Sequence, residues 1–279
     1  MQLAGALAGG TTEPRVFQRG IMESLKTDAR NLAPVGVFTA LAWESAAVRS
    51  VLKRVTKVEE HVWRGFAGDQ EFRVITGGIG LRRTRQTVER FATTPFSAVL
   101  SVGCAGALIP GLTTGQLILA PDIRLQPTKE DDRLELLSVD ATLLARTRAA
   151  ADRSQISVAH GPLFTSPKVL FTPEEKASQG LRTGAIAVEM ESGVHAAFAS
   201  ERGLPFLVLR VILDGVDMTI PAVAGLTTPE GDVRPLRAAL YVATHPHHLP
   251  ALLAIRRARE AATQTISRLC RELFSQLNS

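Results

Sequence analysis

Hydrophobic and polar positions are most tightly ordered between Ala185 and Asp214. A short apolar, β-prone run, Ala185-Ile186-Ala187-Val188, ends in Glu189-Met190-Glu191. Val194, Ala197 and Phe198 follow at helical spacing, and Gly203 supplies a stop. Pro205-Phe206-Leu207-Val208-Leu209-Arg210-Val211-Ile212-Leu213-Asp214 is then almost continuously apolar, the pattern of a parallel strand covered on both faces. The segment predicts a βαβ unit with charges at the C-terminal ends of its strands, where open α/β sheets bind their ligands. Arg210 interrupts the apolar run, and arginine is seldom fully buried without a partner. Stripping one member from a buried ion pair costs about 3–5 kcal/mol, so these charges are hard to explain as scaffold. Either a structural ion-pair cluster or a functional site accounts for Arg210, Asp214, Glu189 and Glu191 together. If the chain stays extended, Glu189 and Glu191 share one face, because side chains alternate along a strand.

From the N-terminus, residues 1–34 show no sustained period and read as an extension, with residues 35–279 as one domain. Val35 to Ala40 is the first strand, and Trp43 to Val55 reads as a helix with Glu44 in its first turn. An acid there complements the helix dipole, or serves as a functional group at the mouth of the first βα loop. Glu60 to Thr76 reads as a hairpin about Gly65–Asp69. Gly77-Gly78-Ile79-Gly80 opens a helix to about Phe91. Such a turn can cradle an anion, although it is neither a Walker A loop nor a GxGxxG fingerprint. Phe96 to Val102 is a buried strand that runs into the small residues Gly103 to Gly111, where backbone can approach a ligand closely. Gly115–Ala120 and Ile156–Leu163 read as strands, Asp140–Ala151 as a helix, and Thr165–Phe171 and Gly215–Gly231 as loops. Ile266, Leu269, Leu273, Phe274 and Leu277 give the last helix an apolar stripe, and Arg256, Arg257, Arg259, Arg268 and Arg271 give it a basic face.

Composition narrows the picture. A hydrophobic share of 45% allows a large core, and a net charge of +5 with a pI near 9.7 permits anionic partners. Aromatics make up only 5% and are not interleaved with basic residues, so nucleic acid is not an expected partner. Cys104 and Cys270 form no CxxC pair, and Cys104 has no neighbouring histidine to activate it. His245-Pro246-His247-His248 reads as a solvated linker, so no metal and no cofactor is expected. No apolar run reaches the ~18–20 residues of a membrane span. The N-terminus lacks the order of a signal peptide, which makes a cytoplasmic protein the expectation.

Four pieces in order carry a resemblance: Val35-Gly36-Val37 with Glu44, Ser101-Val102-Gly103-Cys104-Ala105-Gly106, Ala187-Val188-Glu189-Met190-Glu191, and Leu209-Arg210 with Asp214. Together they resemble the nucleoside phosphorylase superfamily. The branch is most similar to the methylthioadenosine/S-adenosylhomocysteine nucleosidases. Leu249-Pro250-Ala251-Leu252-Leu253 and the long tail resemble the hopanoid-associated phosphorylases. The resemblance covers about residues 35–260 and implies a single α/β/α domain with a mixed, twisted central sheet, usually dimeric.

It also implies roles. Asp214 matches the acid that protonates or hydrogen-bonds purine N7. Glu191 matches the carboxylate that grips the ribose hydroxyls, with Met190 packed on the sugar and Glu189 as a supporting carboxylate. Glu44 matches the base that activates water, and Arg210 the arginine beside the nucleophile. Phe171 or Leu170 falls where the family packs the base, and Cys104 and Gly106 lie in the small-residue stretch that lines the site. Two positions depart from the family: Leu213 and Cys104 stand where the nucleosidases often have serine. The implied reaction is release of adenine from a 5′-substituted adenosine, with adenosylhopane as the implied substrate. General acid catalysis of that departure typically contributes about 10²–10⁴-fold. Two readings compete with the hydrolase: a phosphorylase using phosphate through Arg210 and the Gly77–Gly80 turn, and a non-catalytic nucleoside-binding or storage relative. The expected partners are a nucleoside, lipid-linked in the hopanoid reading, and a second copy of the chain. The apolar and basic last helix also allows peripheral membrane contact, against packing on the sheet or on a dimer partner.

Overall fold

The computed structural model describes residues 33–128, 133–219 and 249–277. Its centre is β5 (Ala98–Ala107), ten residues long and apolar or small throughout. β1 (Val35–Thr39) runs parallel to it along Ala98–Ser101, and β12 (Phe206–Asp214) runs parallel along Val99–Gly106. Gly106 and Ala107, at the end of β5, pair in antiparallel fashion with β11 (Ala187–Glu189). Beyond β1 come β4 (Gln70–Thr76), β3 (Val62–Ala67) and β2 (Lys53–Glu59). Beyond β11 come β10 (Leu163–Thr165), β7 (Asp122–Leu125) and β8 (Glu135–Ser138). β12 continues into β6 (Leu117–Leu119), which pairs with β9 (Val158–His160). One mixed sheet of twelve strands results.

Helices cover both faces, as a sheet buried on two sides requires. α1 (Ala42–Arg49), α3 (Ala141–Arg153) and α6 (Leu249–Gln276) pack on one another or on β5, β6 and β12. α2 (Leu81–Arg90) and α5 (Ser192–Glu201) pack together, with α5 lying on β5, β7 and β12. The expected α/β/α architecture is therefore present. In the last helix the apolar stripe is core: Ala262, Ile266, Leu269, Cys270, Leu273 and Phe274 are buried, and Phe274 stacks on Phe72 at 4.3 Å between ring centroids. That packing consumes the apolar face on which membrane contact depended. Arg256 and Arg257 remain exposed, and Arg259 lies 5.6 Å from the Trp43 ring.

Several elements differ from the pattern in the sequence. The helix expected to reach Val55 stops at Arg49, and residues 53–59 form the edge strand β2. Every residue of β2 is exposed, so it shows no alternation of burial, and its charged residues suit an unpaired edge. The small-residue run from Gly103 to Ala107 continues β5 instead of forming a loop. The strand expected over Ile156–Leu163 divides at Gly161-Pro162 into β9 and β10, because proline cannot donate to a ladder. α4 (Pro173–Thr183), β7 and β8 were not apparent from periodicity. The expected βαβ unit is corrected too: β11 and β12 both pair with β5, one antiparallel and one parallel, so they run in opposite directions. The N-terminal extension up to residue 32, the expected loop from residue 220 to 231 and the His245–His248 segment lie outside the described residues. Ala33 and Pro34, at the end of that expected extension, are buried in the domain.

Candidate active site

The last residues of β5 are the seam on which the charged groups meet. Glu44 sits in the first turn of α1, and its carboxylate folds back over the end of β1. Its Oε2 accepts from the backbone N–H groups of Ala40 and Leu41, each at 3.0 Å, and Oε1 accepts from that of Cys104 at 3.0 Å. A Cβ at Gly103 would lie 2.8 Å from the same carboxylate, so only glycine lets β5 pass. Glu44 is buried, and burial raises its pKa, while the charge of Arg210 and these hydrogen bonds oppose the rise. Three amide donors favour the ionised form, yet burial prevails and holds the pKa above its ordinary value.

Beneath the site lies a buried ionic network, in which Arg210 Nε has no partner among the described residues. Arg210 on β12 donates from Nη2 to Glu189 Oε2 at 2.7 Å and to Ser101 Oγ at 3.0 Å. The other Glu189 oxygen accepts the Thr165 hydroxyl, and Oε2 also takes the N–H groups of Glu191 and Ser192 at 2.9 and 2.7 Å. Burial pushes Glu189 up, but the Arg210 charge and these hydrogen bonds outweigh it and hold the carboxyl below its ordinary value. Ser101 Oγ, which accepts from Arg210, also hydrogen-bonds His195 Nδ1 at 2.9 Å. His195 lies buried against Phe38, with ring centroids 4.9 Å apart, and desolvation followed by the Arg210 charge lowers its pKa to about 3. The ring is neutral.

Glu191 is the N-cap residue of α5, turned out of the strand at φ −134°, ψ −39°. The bend brings its carboxylate across to the Gly77–Gly80 turn, where Oε1 accepts the Gly80 N–H at 2.8 Å. The acceptor held at the start of α2 is thus a side chain of the protein itself. Desolvation first, and the neighbouring Glu189 second, push Glu191 up to about 8.

Asp214 ends β12 opposite Gly106, where a Cβ would stand 2.9 Å from Oδ2. Burial raises its pKa, and Lys176 works against that rise. Lys176, on α4, is fully buried and donates to Asp214 Oδ2 at 2.6 Å, Gly215 O at 2.8 Å and Met218 O at 2.7 Å. Glu44 touches β5 at Gly103–Cys104 and Asp214 touches it at Gly106, so the two acids lie roughly 7–10 Å apart along the strand. That is about the reach from a ribose to the far side of its base.

The remaining expected residues divide. Met190 is half-buried, with its methyl group 3.8 Å from the Cβ position at Gly80, beside the Glu191 contact. Cys104 serves Glu44 through its amide. Burial and the Glu44 charge push its thiol well above the ordinary value, which is the wrong direction for a nucleophile. Leu170 is buried among Leu108, Phe164 and Ala185. Phe171 is 39% exposed, and its N–H bonds Glu175 at the start of α4. Sequence reasoning missed Lys176, Ser101, His195 and Thr165. A signal for the first was present: Thr172-Pro173-Glu174-Glu175 is a capping box with proline at the first helical position, which marks a helix start four residues before Lys176.

Three solved structures share this fold. Futalosine hydrolase of Helicobacter pylori is 17% identical and superposes with a TM-score of 0.69 over 88% of this chain and 98% of its own. A Neisseria meningitidis 5′-methylthioadenosine/S-adenosylhomocysteine nucleosidase, solved with methylthio-immucillin-A, is 17% identical with a TM-score of 0.68, over 87% of this chain and 99% of its own. The H. pylori enzyme of the same name is 17% identical with a TM-score of 0.67, over 88% and 99%. The sequence profile described as "Phosphorylase superfamily" matches residues 34–228, the stretch that carries Glu44, Glu189, Glu191, Arg210 and Asp214. The chain belongs to the phosphorylase superfamily.

Proposed function

We propose that the protein is an N-ribosyl hydrolase that releases adenine from a 5′-substituted adenosine. One observation carries the choice of water over phosphate. The two loops that could hold an inorganic anion are already filled by carboxylates of the chain: Glu44 on the Ala40 and Leu41 amides, and Glu191 on the Gly80 amide. A phosphate entering either loop finds the amide donors already taken by a carboxyl group of the chain. Glu44 takes a proton from water, Asp214 gives one to purine N7, and Glu191 accepts the ribose hydroxyls and favours the cationic sugar. Arg210 holds Glu189 and tempers the charge of the surrounding carboxylates, and Met190 packs on the sugar.

For the 5′ group the reading is a lipophilic substituent, as in adenosylhopane, following the resemblance to the hopanoid-associated phosphorylases. Ile79 and Leu81 supply apolar walls to a cavity of about 450 Å³ beside Gly80, and Arg82, Arg83 and Arg85 rim it. Residues 216–226, just past Asp214, hold Met218, Ile220, Pro221, Val223 and Leu226 as a greasy lining for the 5′ side, and those from 220 onward lie outside the described residues. A homodimer and contact with a membrane surface complete the reading, the latter through the exposed arginines of α6 alone. Comparing methylthioadenosine, S-adenosylhomocysteine and adenosylhopane by kcat/KM tests the 5′ group. A ranking led by the hopanoid supports the lipid reading, and a ranking led by the small thioethers removes it.

A further inference from the structure

Resting on the reading of Asp214 as the acid, we infer that Lys176 is its positioning residue. The ammonium occupies one carboxyl oxygen, leaves the other to face the base, and stabilises the carboxylate that remains after proton delivery. Lys176 is 0% exposed, a rare state for lysine, and each of its three N–H bonds has an acceptor within 2.8 Å. Two of those acceptors, Gly215 O and Met218 O, belong to the turn that follows β12. The same ammonium therefore fixes both the carboxyl and the backbone that carries it. Among the described residues Oδ1 of Asp214 takes no hydrogen bond, while Oδ2 takes that of Lys176.

Among the described residues Lys176 is the cation that acts on this acid. On α4, Glu175 turns back to the amides of Phe171 and Thr172, and Glu174 lies in the same first turn. β5 presents Gly106, which has no charge, and on the turn after β12 Asp217 is exposed. In the reaction the proton on Oδ1 passes to N7 as the C1′–N9 bond breaks and its electron pair enters the purine. Asp214 becomes a carboxylate paired with an ammonium that keeps all its protons. Water adds to C1′ and its proton goes to Glu44. A buried carboxyl without this cation would hold its proton more tightly and be a weaker acid.

The test uses the full chain with Lys176→Met, which removes charge and donors, and Lys176→Gln, which keeps donors and removes charge alone. Asp214 is followed by carbon NMR of labelled aspartate, assigned with Asp214→Asn, and adenine release is followed against pH. In both variants the Asp214 titration moves to higher pH and the alkaline limb of kcat/KM moves with it. kcat falls by about tenfold or more while nucleoside affinity stays near that of the wild type. Should Lys176→Met fail to fold, Lys176→Gln carries the same readouts. An Asp214 titration and a pH limb unchanged in Lys176→Gln overturn the inference. Absence of adenine release by the wild type sinks the hydrolase reading alone, because the NMR titration still reports the coupling of Lys176 to Asp214.

Discussion

At the scale of single residues, two acids of the same chemistry are placed in opposite settings. Glu44 accepts three backbone N–H groups, and Asp214 has one oxygen on Lys176 and the other without a donor among the described residues. Burial raises the pKa of both carboxyls; amide donors and Arg210 work against the rise at Glu44, and Lys176 works against it at Asp214. One acid taking a proton while the other gives one is the division of labour glycosidic cleavage needs. Asp214→Asn is nearly isosteric and keeps the Lys176 contact through its amide oxygen. Adenine release should fall by about 10²–10⁴-fold with the unfolding midpoint little changed. Glu44→Gln should stop hydrolysis yet leave nucleoside binding measurable by calorimetry, since its amide group can still face the pocket. Turnover that survives in either variant removes that residue from its role.

At the scale of elements, the site exists because β5 is long enough to pair with three strands and small enough at its end to let carboxyl groups reach its backbone. The sequence made the charged ends of β11 and β12 legible because Glu and Arg stand out against Val, Leu and Ile. It also made β1, the β3–β4 hairpin and α2 legible, since each has a clear period or a glycine turn. It hid α4, whose buried face is Lys176, Gly180 and Thr183, so helical periodicity in polar and small residues replaced an apolar stripe. It hid β9 and β10 because three-residue strands hold too little pattern to separate. The place of Arg210 was legible and its side-chain partners were not, because Ser101 and Glu189 come from two other strands, β5 and β11. Arg210→Met should leave Glu189 buried without its cation and cost about 3–5 kcal/mol in urea unfolding. Adding Glu189→Gln should restore much of that loss. A single variant as stable as the wild type would show that the pair is not needed for the fold.

At the scale of the whole molecule, two buried groups set opposing slopes of stability with pH. His195 titrates at about 3 in the folded chain against an ordinary value of 6.5, so the unfolded chain binds more protons between those values. Stability from this group is present above pH 6.5 and is lost as pH falls toward 3, at up to about 1.4 kcal/mol per pH unit. Glu191 runs the other way: at about 8 against an ordinary 4.5, the folded chain binds more protons, and stability is lost as pH rises across that window. His195→Gln should flatten the acid slope and Glu191→Gln the alkaline one, each read from denaturant unfolding at a series of pH values. Identical slopes in a variant and the wild type would mean that the substituted group titrates normally in the folded chain.

The whole account turns on which nucleophile the site admits once Glu44 and Glu191 have filled its anion loops. The direct measurement is to incubate the wild-type protein with 5′-methylthioadenosine or adenosylhopane, with and without inorganic phosphate, and to identify the sugar product alongside adenine. The account predicts adenine and a free reducing sugar at the same rate in both incubations. A sugar 1-phosphate whose formation requires phosphate would contradict it.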